Sequence, residues 1–131
     1  MKISNSTNYA LLMAGYLAEH PEQKMIQSEV ISEKYDLPHM YLLKILGMLV
    51  KANILRSKRG PQGGFSLARP PKKINLLEII EAVEGPMIGS LDMEVNAKRA
   101  KFCKQIEQIC EKAAAQARDV LKNTTLADLV K

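Results

Sequence analysis

The chain has 131 residues, of which 47% are hydrophobic, with no tryptophan and a formal net charge of +5. That apolar content excludes a disordered chain, and the length suits one domain of ordinary size with an appendage. The positive balance points to an anionic partner without identifying one.

Residues 1–5 make a short polar start. Ser6 or Thr7 is placed to cap a helix that runs to about Glu19, with Tyr9, Leu12, Met13, Tyr16 and Leu17 at helical spacing. His20-Pro21 ends it, because the residue before proline avoids the helical region. The apolar run 10–18 is too short to span a membrane and reads as a core helix. His20 has no second His, Cys or carboxylate at ligand spacing, so it reads as a solvated helix-end residue and not as a metal ligand.

Met25-Ile26 has the pattern of a short strand. Ser28 is then expected to cap a helix over 29–35, with Val30 and Ile31 inward. Asp36-Leu37 makes a turn. Pro38 suits the first turn of a third helix over 38–52, where its missing N–H costs nothing. Tyr41, Leu42, Ile45, Leu46, Leu49 and Val50 form a broad apolar face there. His39, Met40, Leu43, Lys44 and Met48 fall largely on the other side. A short helix, a turn and a longer helix is the helix-turn-helix pattern, which many small helical domains share.

Asn53 ends the third helix, since Asn tolerates the left-handed conformation. Residues 54–57 and 65–68 read as a strand pair joined by Arg59-Gly60-Pro61-Gln62-Gly63-Gly64. Three glycines and a proline allow a tight reversal and a close approach of backbone N–H groups to a phosphate. No carboxylate occurs between Asp36 and Glu78, whereas Lys44, Lys51, Arg56, Lys58, Arg59, Arg69, Lys72 and Lys73 all do. A charge run is ordinarily a solvated face. One that coincides with a helix and a hairpin tip is what a winged helix-turn-helix presents to DNA, the helix in the major groove and the tip beside it.

Asn75 and Glu78 form a capping box for a fourth helix, whose apolar set is Leu76, Leu77, Ile79, Ile80 and Val83 and which ends at Gly85-Pro86. The DNA-binding domain is expected over 1–86, a linker over 87–92, and a long helix with a terminal turn over 93–131. The long helix, 93–122, would run about 45 Å. Its stripe of Phe102, Ile106, Ile109, Ala113, Ala117 and Val120, with Cys110 beside it, is too long for the domain to cover and predicts a dimerisation helix. Thr125 and Asp128 can cap a last turn. Cys103 and Cys110 are seven residues apart, a rise of about 10 Å, which is beyond disulfide reach. They read as small core residues of the stripe or as redox-sensing thiols, and a reducing cytoplasm fits their use.

No Ser/His/Asp or Cys/His set, no paired carboxylates and no phosphate loop opening a helix are present; Gln62-Gly63-Gly64 leads into a strand. An enzyme is not expected. The overall expectation is a mostly α fold with a small β-wing.

The chain resembles the Rrf2 family of bacterial transcription regulators along nearly its whole length. The resemblance rests on Met1-Lys2-Ile3-Ser4, Tyr9-Ala10-Leu11, Tyr41-Leu42, the segment from Arg59 to Ala68, Ile79-Ile80-Glu81-Ala82-Val83-Glu84-Gly85-Pro86 and Thr125-Leu126-Ala127-Asp128-Leu129. It implies a homodimeric winged helix protein on a palindromic operator in double-stranded DNA, usually a repressor, with crossed C-terminal helices and the terminal segment near the partner. Matching positions imply contacts from Pro38, His39, Met40, Tyr41, Leu43 and Lys44 in the major groove. On the wing, 56–68, they imply contacts from Lys58, Arg59, Gln62, Gly63 and Gly64, with Arg59 in the minor groove.

Two departures stand out. Many members hold an iron–sulfur cluster on three cysteines between the fourth and long helices, whereas residues 91–102 here contain neither Cys nor His. No cofactor is therefore expected, although two cysteines per chain leave a cluster bridging a dimer open on ligand count. Asn8 stands where members often have Arg, so one phosphate contact is expected to be lost. The alternative to a self-sufficient repressor is a regulatory interaction module whose DNA binding is conditional on a partner protein, a small ligand or thiol oxidation.

Overall fold

Ser4, and neither Ser6 nor Thr7, caps the first helix, α1 (Asn5–Glu19), in the computed structural model, which describes residues 3–22, 24–88 and 101–130. The Ser4 hydroxyl accepts from the Thr7 N–H at 3.2 Å. Ser6 instead hydrogen-bonds Tyr41, and the buried Thr7 donates to Glu84 Oε1 at 2.6 Å. Ser4 donates to the same carboxylate through its hydroxyl and its N–H. The helix start is thus decided by a carboxylate far away in sequence. The hydroxyls of Ser4 and then Thr7 hold the Glu84 carboxyl below its ordinary range, against a smaller desolvation effect.

The second helix, α2 (Ser28–Tyr35), has Gln27 at its N-cap with no side-chain cap bond. Ser28, the expected cap, is the first helical residue, and its hydroxyl is hydrogen-bonded to His39 Nε2 at 2.8 Å instead. Asp36 adopts the left-handed conformation, φ 52°, and lets the Leu37 N–H reach the Ser32 carbonyl at 2.9 Å. The chain then turns into α3 (His39–Lys51), whose Leu42, Ile45, Leu46 and Leu49 are buried. Asn53 ends this helix at φ 60°, as its side chain allows.

Strands β1 (Leu55–Lys58) and β2 (Gly64–Leu67) pair antiparallel with Leu55 opposite Leu67 and Arg56 opposite Ser66. Met25-Ile26 contributes a single bridge, Ile26 exchanging two backbone bonds with Phe65 at 2.9 and 2.8 Å. A 3₁₀ turn at Pro71–Lys73 leads to α4 (Leu76–Glu84), closed by the expected Asn75–Glu78 capping box. Two further helices are α5 (Lys101–Lys122) and α6 (Leu126–Leu129), the latter with the expected Thr125–Asp128 box. The proposed linker from Gly89 on and the proposed start of the long helix lie outside the described residues.

One core joins α1, α2, α3, β1 and α4, with Met13, Ile31, Leu46, Ile54, Ile74 and Ile79 at its centre. Leu126 of α6 is also fully buried in it. The Leu126 N–H donates to the Ile74 carbonyl and the Leu76 N–H to the Thr124 carbonyl, both at 2.9 Å. The resemblance implies a terminal segment that lies near the partner, and Leu129 of that segment is 54% exposed. The segment also closes its own domain, because its backbone completes the hydrogen bonds at the start of α4 and Leu126 fills the space beneath. Among the described residues, no helix is long and apolar enough to cross a membrane.

Candidate nucleic-acid interface

The start of α3 is fixed by its side chains. His39 commits one ring nitrogen to Ser28 and lies 3.7 Å from Glu29. Tyr41 hydrogen-bonds Ser6 and packs edge-on against Tyr9 with ring centroids 5.6 Å apart. Leu43 is half-buried against the core. What projects is Met40, 79% exposed, and Lys44 one turn on, with exposed Pro38 before them and Gly47 after. Residues at i and i+4 share one helix face, so Met40, Lys44 and Gly47 make one open strip. Of the six residues assigned to this helix from sequence, Pro38, Met40 and Lys44 point outward. His39 and Tyr41 anchor the helix to α2 and α1.

The wing is shaped by its glycines. Gly60 takes φ 105° and its carbonyl accepts from the Gly63 N–H at 2.9 Å, closing the reversal. A Cβ on Gly63 would strike the Lys58 carbonyl, and one on Gly64, φ 143°, would sit 2.5 Å from the Ile26 carbonyl oxygen. Gly63 is buried. These two glycines therefore fit the tip against its own strands, while Lys58, Arg59 and Gln62 stand exposed. The Gln27 side-chain amide donates to the Pro61 carbonyl at 3.3 Å and ties the tip to the start of α2. Through Gln27 and Ser28 that one corner orients both the wing and α3. The sequence carried no signal for these two roles beyond the polar residues themselves, because each partner is distant in the chain.

Among the described residues, Lys44, Lys58 and Arg59 make no ion pair. Arg69 differs from the rest of the basic run. It donates to Glu78 at 2.8 Å, to the Asn53 carbonyl at 3.2 Å and to the Lys73 carbonyl at 3.0 Å. Its guanidinium is a strut between the end of α3, the 3₁₀ turn and α4. Asn8, at the position of the lost arginine, is exposed on α1.

On α5 the predicted stripe stays open. Phe102 is 61% exposed, Ile109 67% and Val120 66%, with Ile106 and Ala113 also exposed and Ala117 partly so. At about 100° per residue, Cys103, Cys110 and Leu121 lie roughly 60–80° round from that stripe. Cys103 is only 3% exposed and Cys110 half-buried. Cys103 thus belongs to the face turned inward, not to the open stripe with which it was grouped. Two thiols, one of them enclosed, do not within one chain supply the four ligands an iron–sulfur cluster ordinarily needs. Among the described residues, no group of three or more His, Cys, Asp or Glu could hold a metal.

A short helix turning into an open-faced helix, followed by a cationic two-stranded tip, defines a winged helix-turn-helix. This is the architecture of a DNA-binding transcription regulator. The chain belongs to the Rrf2 family, whose model, described as an iron-dependent transcriptional regulator, matches residues 3–131. It is 26% identical to the HTH-type transcriptional regulator NsrR of Shouchella clausii over 99% of this chain and 89% of that one. Its fold is similar to that of CymR, the global cysteine regulator of B. subtilis, with a TM-score of 0.82 and 26% identity over 99% of this chain and 96% of that one. The oxidized form of Staphylococcus aureus CymR matches with a TM-score of 0.77 and 34% identity, covering 100% of this chain and 97% of the other.

Proposed function

We propose that the chain is a cytoplasmic homodimeric repressor that binds a two-fold symmetric operator. In this reading α3 enters the major groove through Met40 and Lys44, with Pro38, His39, Tyr41 and Leu43 lining the approach. Lys58, Arg59 and Gln62 bring the wing to the adjacent backbone and minor groove, Gly63 and Gly64 shaping the tip. The observation that carries the proposal is the placement of three cations without ion pairs, Lys44, Lys58 and Arg59, on the open strip of α3 and the wing beside it. Dimerisation through Phe102, Ile106, Ile109, Ala113, Ala117 and Val120, with the half-buried Cys110 at the edge, is supported by the exposure of that stripe, since a contiguous apolar surface of this kind seeks a partner. The sign of regulation, repression, follows the resemblance to the family.

The test is a selection of fragmented genomic DNA by the purified protein. The expected result is a two-fold symmetric site with half-sites about 34–36 Å apart or a multiple of that. Deletion of the gene should raise transcription from the promoters carrying that site, and a fall would reverse the sign of regulation. Arg59→Ala is expected to weaken operator binding by about 1–3 kcal/mol, more than Lys72→Ala, whose loss should be uniform across sequences. Equal losses from the two variants would remove the wing from the reading surface.

A further inference from the structure

Behind the wing, on the side of the α1–α2 connection, lies an open cleft of about 800 Å³ that the DNA-binding proposal does not use. Its floor is apolar, built by Leu17, Met25, Leu67 and Pro70. Its rim carries Lys24, Arg56 and Lys58, all exposed, and no carboxylate lines it. Arg69 also lines it, already neutralised by Glu78. The cleft contains the side-chain oxygen that is buried without a hydrogen-bond partner among the described residues, Ser66 Oγ. Ser66 pairs across the strands with Arg56. Cross-strand partners put their side chains on one sheet face about 4.5–5.5 Å apart at Cβ. The hydroxyl and the Arg56 side chain therefore leave the same sheet face, and a guanidinium fork suits carboxylate or phosphate oxygens. A hydroxyl without a partner gains from turning about χ1 to meet an acceptor, because leaving it unmade is unfavourable in place.

We propose that this cleft binds a small organic anion, a single carboxylate or phosphate head carried on an apolar body. The head sits between Arg56, Lys24 and the Ser66 hydroxyl, and the body covers Met25 and Pro70. An apolar pocket with a few convergent polar groups is the usual form of a small-molecule site. A bare anion would leave the floor exposed, and a neutral apolar molecule would leave the rim cations unpaired. Binding at this cleft does not depend on the DNA-binding proposal. One consequence does: Lys58 borders both surfaces, so an occupied cleft would take a cation from the wing and weaken DNA binding.

The test is a titration of the full chain, without DNA, followed by amide chemical shifts. Phenyl phosphate is the probe, with inorganic phosphate and phenol as its two halves. Saturable shifts at Met25, Ser66 and Ala68 are expected with phenyl phosphate, at an affinity about tenfold above either half, the step that 1.4 kcal/mol of added contact supplies. Arg56→Ala should weaken phenyl phosphate binding by a similar factor. Ser66→Ala should weaken it severalfold without lowering Tm, because it deletes a hydroxyl that has no partner to lose. Inorganic phosphate binding as tightly as phenyl phosphate would reduce the cleft to a phosphate track for DNA and overturn the proposal. Shifts confined to the α5 stripe, or unchanged affinity in both variants, would overturn it as well.

Discussion

Helices α3 and α5 carry the same kind of amphipathic pattern and meet opposite fates. In α3 the apolar face is finished inside the protomer, with Leu42, Ile45, Leu46 and Leu49 all buried, and the opposite strip is left to solvent. In α5 the apolar stripe is the part left to solvent, and the one fully enclosed residue of the helix is Cys103. Periodicity states that a helix has an apolar face. It does not state whether the covering surface belongs to the same chain. The difference separates a helix whose apolar face stabilises the fold from one whose apolar stripe the protomer leaves open.

The largest effects should come from attacking the finished face. Leu46→Ala removes a fully buried side chain and should lower unfolding free energy by about 2–5 kcal/mol at every protein concentration, read by chemical denaturation. A loss below about 1 kcal/mol would mean that the α3 face is loosely packed. Attacking the open stripe should act differently. Ile109→Glu should keep the helical signal of the protomer and weaken self-association by more than about thirtyfold, the hot-spot scale of 2 kcal/mol or more. Sedimentation at several concentrations separates the cases, and an undiminished dimer would remove Ile109 from the interface.

Two glycines sharpen the contrast at smaller scale. Gly64→Ala forces a side chain into φ 143° and against the Ile26 carbonyl, and should cost about 1–3 kcal/mol. Gly47 lies on the open strip of α3 with nothing within 4 Å of an added Cβ. Gly47→Ala should raise stability by about 0.5–1 kcal/mol, because Gly is poor in a helix interior. Thermal unfolding of both variants checks the opposite signs.

The smallest effect concerns Glu84. Its carboxyl is held below its ordinary range by Ser4 and Thr7, so folding favours the ionised form. That contribution is present above the unfolded carboxylate pKa and is lost as pH falls through the folded value. Glu84→Gln should therefore lower Tm slightly at neutral pH and make no difference in acid below both values. An equal loss at both pH values would show that the hydrogen bonds, and not the charge, matter.

Much of this was legible in the chain. Asn75 with Glu78 and Thr125 with Asp128 are local boxes, complete within four residues. Asn53 and the glycines of the wing announce the turns they make. The misplaced signals share one cause. Ser28 has the identity of a cap but answers His39, eleven residues on, and Ser4 answers Glu84, eighty residues on. Arg69 reads as one more cation of the DNA face until Glu78 is found beside it. The cleft behind the wing was not legible either, because its walls come from separate segments of the chain.

The sequence by itself determined the helices, the wing, the amphipathic stripes and the family, because capping, periodicity and turn chemistry act over a few residues. Tertiary structure decided which polar side chains hold the fold and which remain open, that Leu126 closes its own domain, and that Cys103 turns inward. Those outcomes depend on which surfaces meet across distant segments, and a local pattern has no term for its partner.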